Sequence, residues 1–253
     1  MKKYFVVSDV HSFYKELMVA LNEKGFEKDN PEHILCVCGD LFDRGDETIQ
    51  LFEFVKGLNA QGRLIYVRGN HEDLLCDCVN ELKKGYTPSR HHFHNGTVKT
   101  ICQFCGQNEW IIYDHEWRNK IVEIMEPVLE FIDQNTVNYA DIGDYVLVHG
   151  WWPAYAADDY HTAEDWFWKD ARWENGMKMW RNPAWRIPNK TVVCGHWHCS
   201  WGWSHIDQKY KEFPQPSHKH FQYSFQPWKR EGIIAIDACT AYSGIVNCIV
   251  LED

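Results

Sequence analysis

The 253-residue sequence lacks the features that direct a chain into or across a membrane. No apolar run approaches the roughly 20 residues needed to span a bilayer. The N-terminal apolar run ends at Ser8 and Asp9, which is too early for a secretory signal peptide. Positive charge is also scarce, because 26 Lys and Arg stand against 36 Asp and Glu, a formal net charge of −10. We therefore expect no membrane association, and nucleic acid is a disfavoured partner because its binding usually requires a basic surface.

Internal repeats, low-complexity tracts and linkers are missing as well, which predicts a single domain over residues 1–253. Ten cysteines are present, but nothing in the sequence suggests secretion. A chain of this length can bury a sizeable core without disulfide bonds. Free thiols and a cytoplasmic location are therefore expected.

Apolar runs and helical stripes alternate along the first 75 residues. Short buried strands are predicted in "KYFVVS", "HILCVCGD" and "RLIYVRGN", and helices in "SFYKELMVALNEKG" and "DETIQLFEFVKGLNAQG". Residues 72–134 are mostly helical in pattern, "TVNYADIGDYVLVHG" predicts a hairpin and "KTVVCGH" another strand. The segment "GIIAIDACTAYSGIVNCIVLED" predicts a final strand pair. This alternation is typical of an α/β layered fold with functional loops at the carboxyl ends of its strands.

Residues of types that can bind metals follow five of these predicted strands. They are Asp9 and His11, Asp40 and Asp43, Asn70 and His71, His149, and His196 and His198. Each alone is more often a helix cap or a turn residue, but capping does not explain five such groups at one edge of a sheet. Carboxylate, imidazole and amide oxygen together suit borderline divalent ions such as Mn, Fe, Zn, Co or Ni. The sequence therefore predicts a metal site at this edge.

The motifs D-x-H, G-D-x-x-D-R-G, R-G-N-H-E, H-G and G-H-x-H occur in this order. Together they resemble the calcineurin-like metallophosphoesterase superfamily. The second and third motifs resemble Ser/Thr phosphoprotein phosphatases, including bacterial and phage members, and the related symmetrical diadenosine tetraphosphate hydrolases. The resemblance runs from Tyr4 to Asp253. It implies a layered β-sandwich flanked by helices, with a dinuclear metal site at the carboxyl ends of the strands.

The resemblance also implies a role for each motif residue. Two divalent ions, with manganese the first choice, would be bound by Asp9, His11 and His198 on one side and by Asn70, His149 and His196 on the other, with Asp40 bridging them. A water held between the two ions would attack a phosphate monoester. His71 would protonate the leaving oxygen, Asp43 would hold the imidazole of His71, and Arg44 would bind the phosphate.

Two further arginines are candidates for substrate binding. Arg68 could join Arg44 at the phosphate or form a structural ion pair, and the sequence leaves both alternatives open. Arg172, Arg181 and Arg186 lie in the Trp-rich segment 151–186, which we expect beside the active site. The resemblance to phosphoprotein phosphatases implies a second phosphate-binding arginine in this interval, and Arg172 is the first choice.

Thirteen tryptophans are present, and ten of them fall between Trp151 and Trp203. They favour an aromatic mini-core over the sheet, with a wall that stacks an aromatic ring of the substrate as the alternative. Trp197 stands where the superfamily often has a threonine. If residues 196–198 are extended, alternation would point both imidazoles one way and Trp197 the other.

The predicted function is a dinuclear-metal-dependent phosphoric ester hydrolase, similar to Ser/Thr phosphoprotein phosphatases, that hydrolyses phosphate monoesters of a phosphorylated protein or a small molecule. A dinucleoside polyphosphate hydrolase is the alternative within the enzymes. A metal-binding scaffold without activity is the alternative outside them, but the retention of Asp43, Arg44 and His71 argues against it.

Overall fold

The apolar runs of the sequence form ten strands in a computed structural model of the protein, which describes residues 1–211, 213 and 224–252. The strands are β1 (Lys3–Val7), β2 (His33–Cys38), β3 (Leu64–Val67), β4 (Thr136–Val137), β5 (Ala140–Ile142), β6 (Tyr145–Leu147), β7 (Thr191–Cys194), β8 (Trp228–Arg230), β9 (Ile233–Ala235) and β10 (Ile249–Glu252). The helices are α1 (Tyr14–Glu23), α2 (Thr48–Ala60), α3 (Asn70–Lys83), α4 (Arg90–Asn95), α5 (Thr97–Cys105), α6 (His115–Asn135), α7 (Asp165–Ala171), α8 (Gly176–Trp180) and α9 (Thr240–Ser243).

The strands make two five-stranded sheets. In the first, the order is β10-β1-β2-β3-β4, with β1 to β4 parallel and β10 antiparallel to β1. In the second, the order is β5-β6-β7-β9-β8, with β6, β7 and β9 parallel and an antiparallel strand at each edge. The predicted layered sandwich and the β5–β6 hairpin are therefore confirmed. The predicted final strand pair is wrong, because β9 and β10 belong to different sheets and α9 lies between them in the chain.

Side-chain alternation along the strands builds the layers, because successive residues point to opposite faces of a sheet. Val6 and Cys36 of the first sheet pack against Leu147 and Val193 of the second, which forms the core between the sheets. Residues on the opposite face of the first sheet, such as Phe5, pack under helices α1 to α6. The carboxyl ends of the parallel strands in both sheets meet at one end of the sandwich, where hydrogen bonds join the loops that follow them.

The outer face of the second sheet is covered by the aromatic segment. Trp151, Trp152 and Trp168 are buried there against strand residues such as Val146. The indole nitrogens of Trp151 and Trp152 both donate to the carbonyl oxygen of Trp185, at 3.1 and 2.8 Å. Burial makes these tryptophans core residues, so the mini-core prediction is confirmed for them. The hydrogen bonds satisfy the buried indole nitrogens of Trp151 and Trp152.

Two further features are the cysteines and the apolar character of the helices. All ten cysteines are free thiols. Among the helices of the described residues, none is both long enough and apolar enough to cross a bilayer.

The contact between the ends of β2 and β3 depends on Gly69. A methyl group on Gly69 would lie 2.5 Å from the backbone nitrogen of Asp40 and would also collide with the Asp40 carboxylate. We expect Gly69→Ala to destabilise the protein by about 1–3 kcal/mol, the usual cost of overpacking. Gly57, inside α2, is the matched control because a methyl group there meets nothing within 4 Å. Gly57→Ala should stabilise by about 0.5–1 kcal/mol. Urea unfolding measures both changes, and equal midpoints for Gly69→Ala and wild type would contradict the first.

Candidate metal centre

The loops that follow the strands of the two sheets are joined by hydrogen bonds. His149, after β6, donates from Nδ1 to the carbonyl oxygen of Cys38, the last residue of β2, at 2.7 Å. The backbone N–H of His196, after β7, donates to the carboxylate of Asp9, after β1, at 3.0 Å. These contacts bring the predicted metal-binding residues of both sheets to a common site.

Asp40 lies at the centre of this site. In the described part of the chain, two groups each have all their ligand atoms within 4.8 Å of one another. The first group is Asp40, His149 and His196, and the second is Asp40, His11 and His71. The amide oxygen of Asn70 lies 2.8 Å from Nε2 of His149, so Asn70 adjoins the first group. Because Asp40 belongs to both groups, its position fits the predicted bridging carboxylate.

The orientation of the imidazoles also fits a cation. Nδ1 of His11 lies 2.8 Å from the carbonyl oxygen of Phe42, as Nδ1 of His149 does from that of Cys38. A carbonyl oxygen can only accept, so in both residues Nδ1 is the donor and Nε2 faces the site. Hydrogen bonds of this kind fix the tautomer of metal-binding histidines. The donor set is therefore suited to divalent cations.

Two predicted ligands lie outside both groups. The Asp9 carboxylate accepts hydrogen bonds from the hydroxyl of Ser8 and from the backbone of His196. Nδ1 of His198 lies 2.7 Å from the hydroxyl oxygen of Ser200. A metal role for Asp9 and His198 therefore stays a prediction.

The expected alternation over residues 196–198 does not form. β7 ends at Cys194, and His196 has the left-handed backbone conformation with φ 65°. The chain turns at this residue, so the strand rule no longer sets the directions of the two imidazoles. His196 joins Asp40 and His149, whereas the ring of His198 lies 6.0 Å from that of Phe213.

Of the three predicted catalytic residues, His71 belongs to the second Asp40 group, and Asp43 and Arg44 contact His71. Nδ1 of His71 donates to the carboxylate of Asp43 at 2.6 Å, and Nε2 of His71 lies 3.8 Å from the Asp40 carboxylate. A guanidinium nitrogen of Arg44 lies 3.2 Å from Nε2 of His71. His71 and Asp43 are buried, while Arg44 is exposed. Arg44 and His71 thus face the same small volume at the edge of the site.

Arg68 and Arg172 make different contacts. Arg68 pairs with Asp73 and Asp133, both at 2.7 Å, which corresponds to the structural alternative for this residue. Arg172 pairs with Asp73 at 2.6 Å and donates to Asn138. These contacts occupy both guanidinium groups away from the Asp40 groups, so no contact supports their predicted role in substrate binding.

Several residues of the site escaped the sequence analysis. The Asp43 carboxylate accepts hydrogen bonds from the hydroxyls of Thr97 at 3.0 Å and Thr100 at 2.7 Å, both on α5. Glu72 lies in the R-G-N-H-E motif, but no role was assigned to it. Asp237 is buried after β9, and its charge acts on Asp9. Only Asp237 carried the signal used for the other residues, an acidic residue just after a strand.

The charges of the site are set by burial and by mutual contact. Burial opposes the ionisation of Asp40, but the neighbouring His149 and His71 outweigh it and hold the pKa of Asp40 well below its usual range. Burial lowers the pKa of His149, but the charge of Asp40 outweighs burial and raises that pKa to about 10. For His196, burial and the charge of His149 outweigh the opposing effect of Asp40 and lower the pKa to about 3. A proton on His149 thus balances the charge of Asp40 in the metal-free protein.

The backbone of the site is strained. Asp9, His11, Asp40, Asp43 and His196 all have positive φ angles, between 51° and 76°. This conformation is uncommon outside glycine and costs about 1–3 kcal/mol per residue. Arg44, with φ 64°, is a sixth predicted site residue in this conformation, and such clustering of strained residues is typical of functional sites.

The proton on His149 predicts how metal binding depends on pH. A cation that binds Nε2 must displace this proton, so Mn²⁺ affinity should rise with pH by up to about tenfold per unit for each proton released. Calorimetric titration at pH 7 in two buffers of different ionisation enthalpy measures the release. We expect a binding enthalpy that depends on the buffer, and a smaller dependence in His149→Ala. Identical enthalpies for the wild type in both buffers would contradict the prediction.

Comparison with known proteins agrees with this site. The profile of the family described as calcineurin-like phosphoesterase matches residues 2–226. A stretch of 74 residues, which is 27% of this chain and 30% of the relative, is 36% identical to the asymmetrical bis(5'-nucleosyl)-tetraphosphatase PrpE of Bacillus subtilis (strain 168). The chain thus spans less than a third of the length of the curated relatives that it matches.

Two solved structures share the fold. A crystal structure provisionally named a diadenosine tetraphosphatase has a TM-score of 0.52 at 16% identity, over 99% of this chain and 90% of the other. The cold-active protein-tyrosine phosphatase of a psychrophilic Shewanella species has a TM-score of 0.52 at 15% identity, over 100% of this chain and 76% of the other. At these identities the likeness shows the fold alone.

Proposed function

We propose that this chain, which belongs to the calcineurin-like phosphoesterase family, is a metal-dependent enzyme similar to Ser/Thr phosphoprotein phosphatases that hydrolyses phosphate monoesters of proteins or small molecules. The observation that carries the proposal is the contact of His71 with Asp43 and Arg44 beside the shared Asp40 groups. Two divalent ions, manganese by preference, would be held by Asp40, His11, His149 and His196 of the two groups, with Asn70, Asp9 and His198. His71, the remaining member of the groups, would stay free to donate a proton. We also propose a cytoplasmic location, because ten free thiols are typical of a reducing compartment.

The bound ions would supply a water of lowered pKa and stabilise charge on the attacking and leaving oxygens. The chain itself provides the remaining steps. Arg44 is exposed, so its planar guanidinium can bind two phosphate oxygens of an incoming ester. The adjacent Nε2 of His71 then lies where a proton can pass to the leaving oxygen.

Asp43 prepares His71 for this step. It accepts the Nδ1–H of His71, which fixes the orientation of the ring and stabilises the protonated form. Burial lowers the pKa of His71, but the charge of Asp40 and the bond to Asp43 outweigh burial and raise the pKa above its ordinary value. This shift favours the protonated ring, which is the form that can donate a proton, while the nearby charge of Arg44 opposes it.

Replacement of His71 tests the proposed proton donor. His71→Asn should lower kcat on 4-nitrophenyl phosphate by roughly 10²–10⁴-fold, the usual contribution of a general acid. Bound manganese, measured by elemental analysis, should stay near the wild-type level. His94→Asn is the matched control because His94 is exposed on α4 and contacts only the carbonyl oxygen of Arg90. Metal-loaded wild-type protein without turnover on a panel of phosphate esters would refute the proposed function.

The hydroxyls that hold Asp43 give a graded test of the same dyad. The double variant Thr97→Val with Thr100→Val removes two hydrogen bonds to a charged group, each worth about 1.5–3 kcal/mol. We expect kcat to fall roughly tenfold with little change in KM, because a less firmly held Asp43 positions His71 less well. Thr162→Val is the control, since that exposed hydroxyl bonds only to Asp159. A folded double variant with the wild-type kcat would contradict the positioning role.

A dinucleoside polyphosphate is the second candidate substrate. The match to the bis(5'-nucleosyl)-tetraphosphatase of Bacillus subtilis supports it, although that match covers 27% of this chain. Side-by-side assays of diadenosine tetraphosphate and a phosphoserine peptide on manganese-loaded protein decide between the two. A large excess of kcat/KM for the peptide excludes the nucleotide, and the reverse excludes the protein phosphatase.

A further inference from the structure

Two exposed tryptophans have rings close to the ring of His196. The ring of Trp173 lies 5.7 Å from that of His196 in an edge-to-face arrangement at 86°, and the ring of Trp197 lies 6.5 Å away at 76°. Trp173 is 43% exposed and Trp197 is 36% exposed, whereas Trp151 and Trp168 are almost fully buried. These two indoles form what we call the aromatic rim, a pair of apolar faces next to a residue of the Asp40 group.

The position of Trp173 is fixed despite its exposure. The preceding residue, Arg172, is anchored by its ion pair with the buried Asp73. The ring of Trp173 also packs edge-to-face on the ring of His196. On another side, the ring of His91 from α4 lies 6.3 Å away. An aromatic ring held in this way loses little conformational entropy when a ligand stacks on it.

Trp197 reaches the site through the unusual backbone at His196. The left-handed conformation of His196 turns the chain after β7, and the Trp197 ring contacts the rings of both His196 and His198, the latter at 6.2 Å. An exposed indole leaves apolar surface in water that a ligand could cover. Both rim residues therefore present such surface beside the place where phosphate would bind.

We propose that the aromatic rim of Trp173 and Trp197 binds a planar aromatic ring carried by the phosphate ester. A nucleobase and a phenyl ring share this chemistry, because each offers a flat π face for stacking on an indole. An aliphatic phosphate has no such face. The proposal rests on the proposed phosphoesterase activity and narrows its substrates to aryl or nucleoside phosphates.

Kinetics on matched substrates test the rim. Phenyl phosphate and adenosine 5'-monophosphate carry a ring, and glycerol 2-phosphate does not. Trp173→Ala and Trp197→Ala should each lower kcat/KM for the ring-bearing esters by roughly tenfold, within the range found for stacking of a base on an aromatic side chain. Glycerol 2-phosphate should change less than about twofold, because it makes no stacking contact. Trp173→Phe should restore most of the loss, since phenylalanine keeps a π face.

The two ring-bearing substrates separate the sources of the ring. A loss confined to phenyl phosphate indicates a tyrosine-sized ring, and a loss that includes the nucleotide indicates a nucleobase; either result supports the rim. Trp110→Ala is the control, because Trp110 is 77% exposed and makes its ring contact with Tyr113. Unchanged kinetics on both ring-bearing esters, or an equal loss on glycerol 2-phosphate, would overturn the proposal.

Binding without turnover separates the rim from the catalytic activity. Phenylphosphonate and methylphosphonate differ only in the ring, and neither can be hydrolysed as an ester. We expect calorimetry on manganese-loaded protein to give tighter binding of phenylphosphonate, and Trp173→Ala and Trp197→Ala to remove that difference. This result would support the rim even if no ester were turned over. Equal affinities of the wild type for both phosphonates would overturn it while leaving the phosphoesterase activity intact.

Discussion

The carboxylate of Glu72 ties together the loops on which the metal centre depends. It accepts hydrogen bonds from the backbone N–H groups of Asp40 at 3.0 Å, Leu41 at 2.9 Å and Gly69 at 2.7 Å, and from the hydroxyl of Tyr66 at 2.8 Å. The side chain is fully buried, and no ion pair in the described part of the chain involves it. Burial of a carboxylate is costly, and these four donors compensate for it. Glu72 thereby fixes the backbone of Asp40, the residue shared by both groups.

The strained backbone of the site depends on this framework. Asp40, Asp43 and His196 would relax from their positive φ angles if the loops were free. Hydrogen bonds between the loops prevent this, and the acceptors of His11 and His149 are carbonyls that lie at or just beyond the end of β2. The orientation of His149 is therefore set by the packing of the two sheets, and that of His11 by the neighbouring loop of its own sheet. Strain at the site and burial between the sheets are parts of one arrangement.

Sequence patterns predicted the α/β layers and the gathering of strand-end residues, because both depend on local patterns, whereas the sandwich was implied by the family resemblance. The expectation of a single sheet edge was wrong, since the five groups follow strands of both sheets. Apolar runs and helical stripes mark the elements, and parallel strands bring their carboxyl ends to one edge. The pairing of β9 and β10 with different sheets was not predictable in this way, since an apolar run does not specify its partner strand. The partners of Arg68 and Arg172 were equally hidden, because Asp73 meets both only after α3, α6 and α7 pack around the first sheet's edge. The turn at His196 depends on a backbone angle that its neighbours in sequence do not dictate.

The tryptophans show how one residue type serves two purposes in one segment. Trp151, Trp152 and Trp168 are buried on the outer face of the second sheet, where their large side chains contribute to the core. Trp173 leaves that core and reaches His196, although only a few residues separate it from Trp168. The change coincides with Arg172, which turns inward to Asp73 and leaves the next residue facing outward. Arg172, which was predicted to bind phosphate, instead pairs with Asp73 next to Trp173 of the aromatic rim. The core of the second sheet and the aromatic rim therefore depend on the same segment.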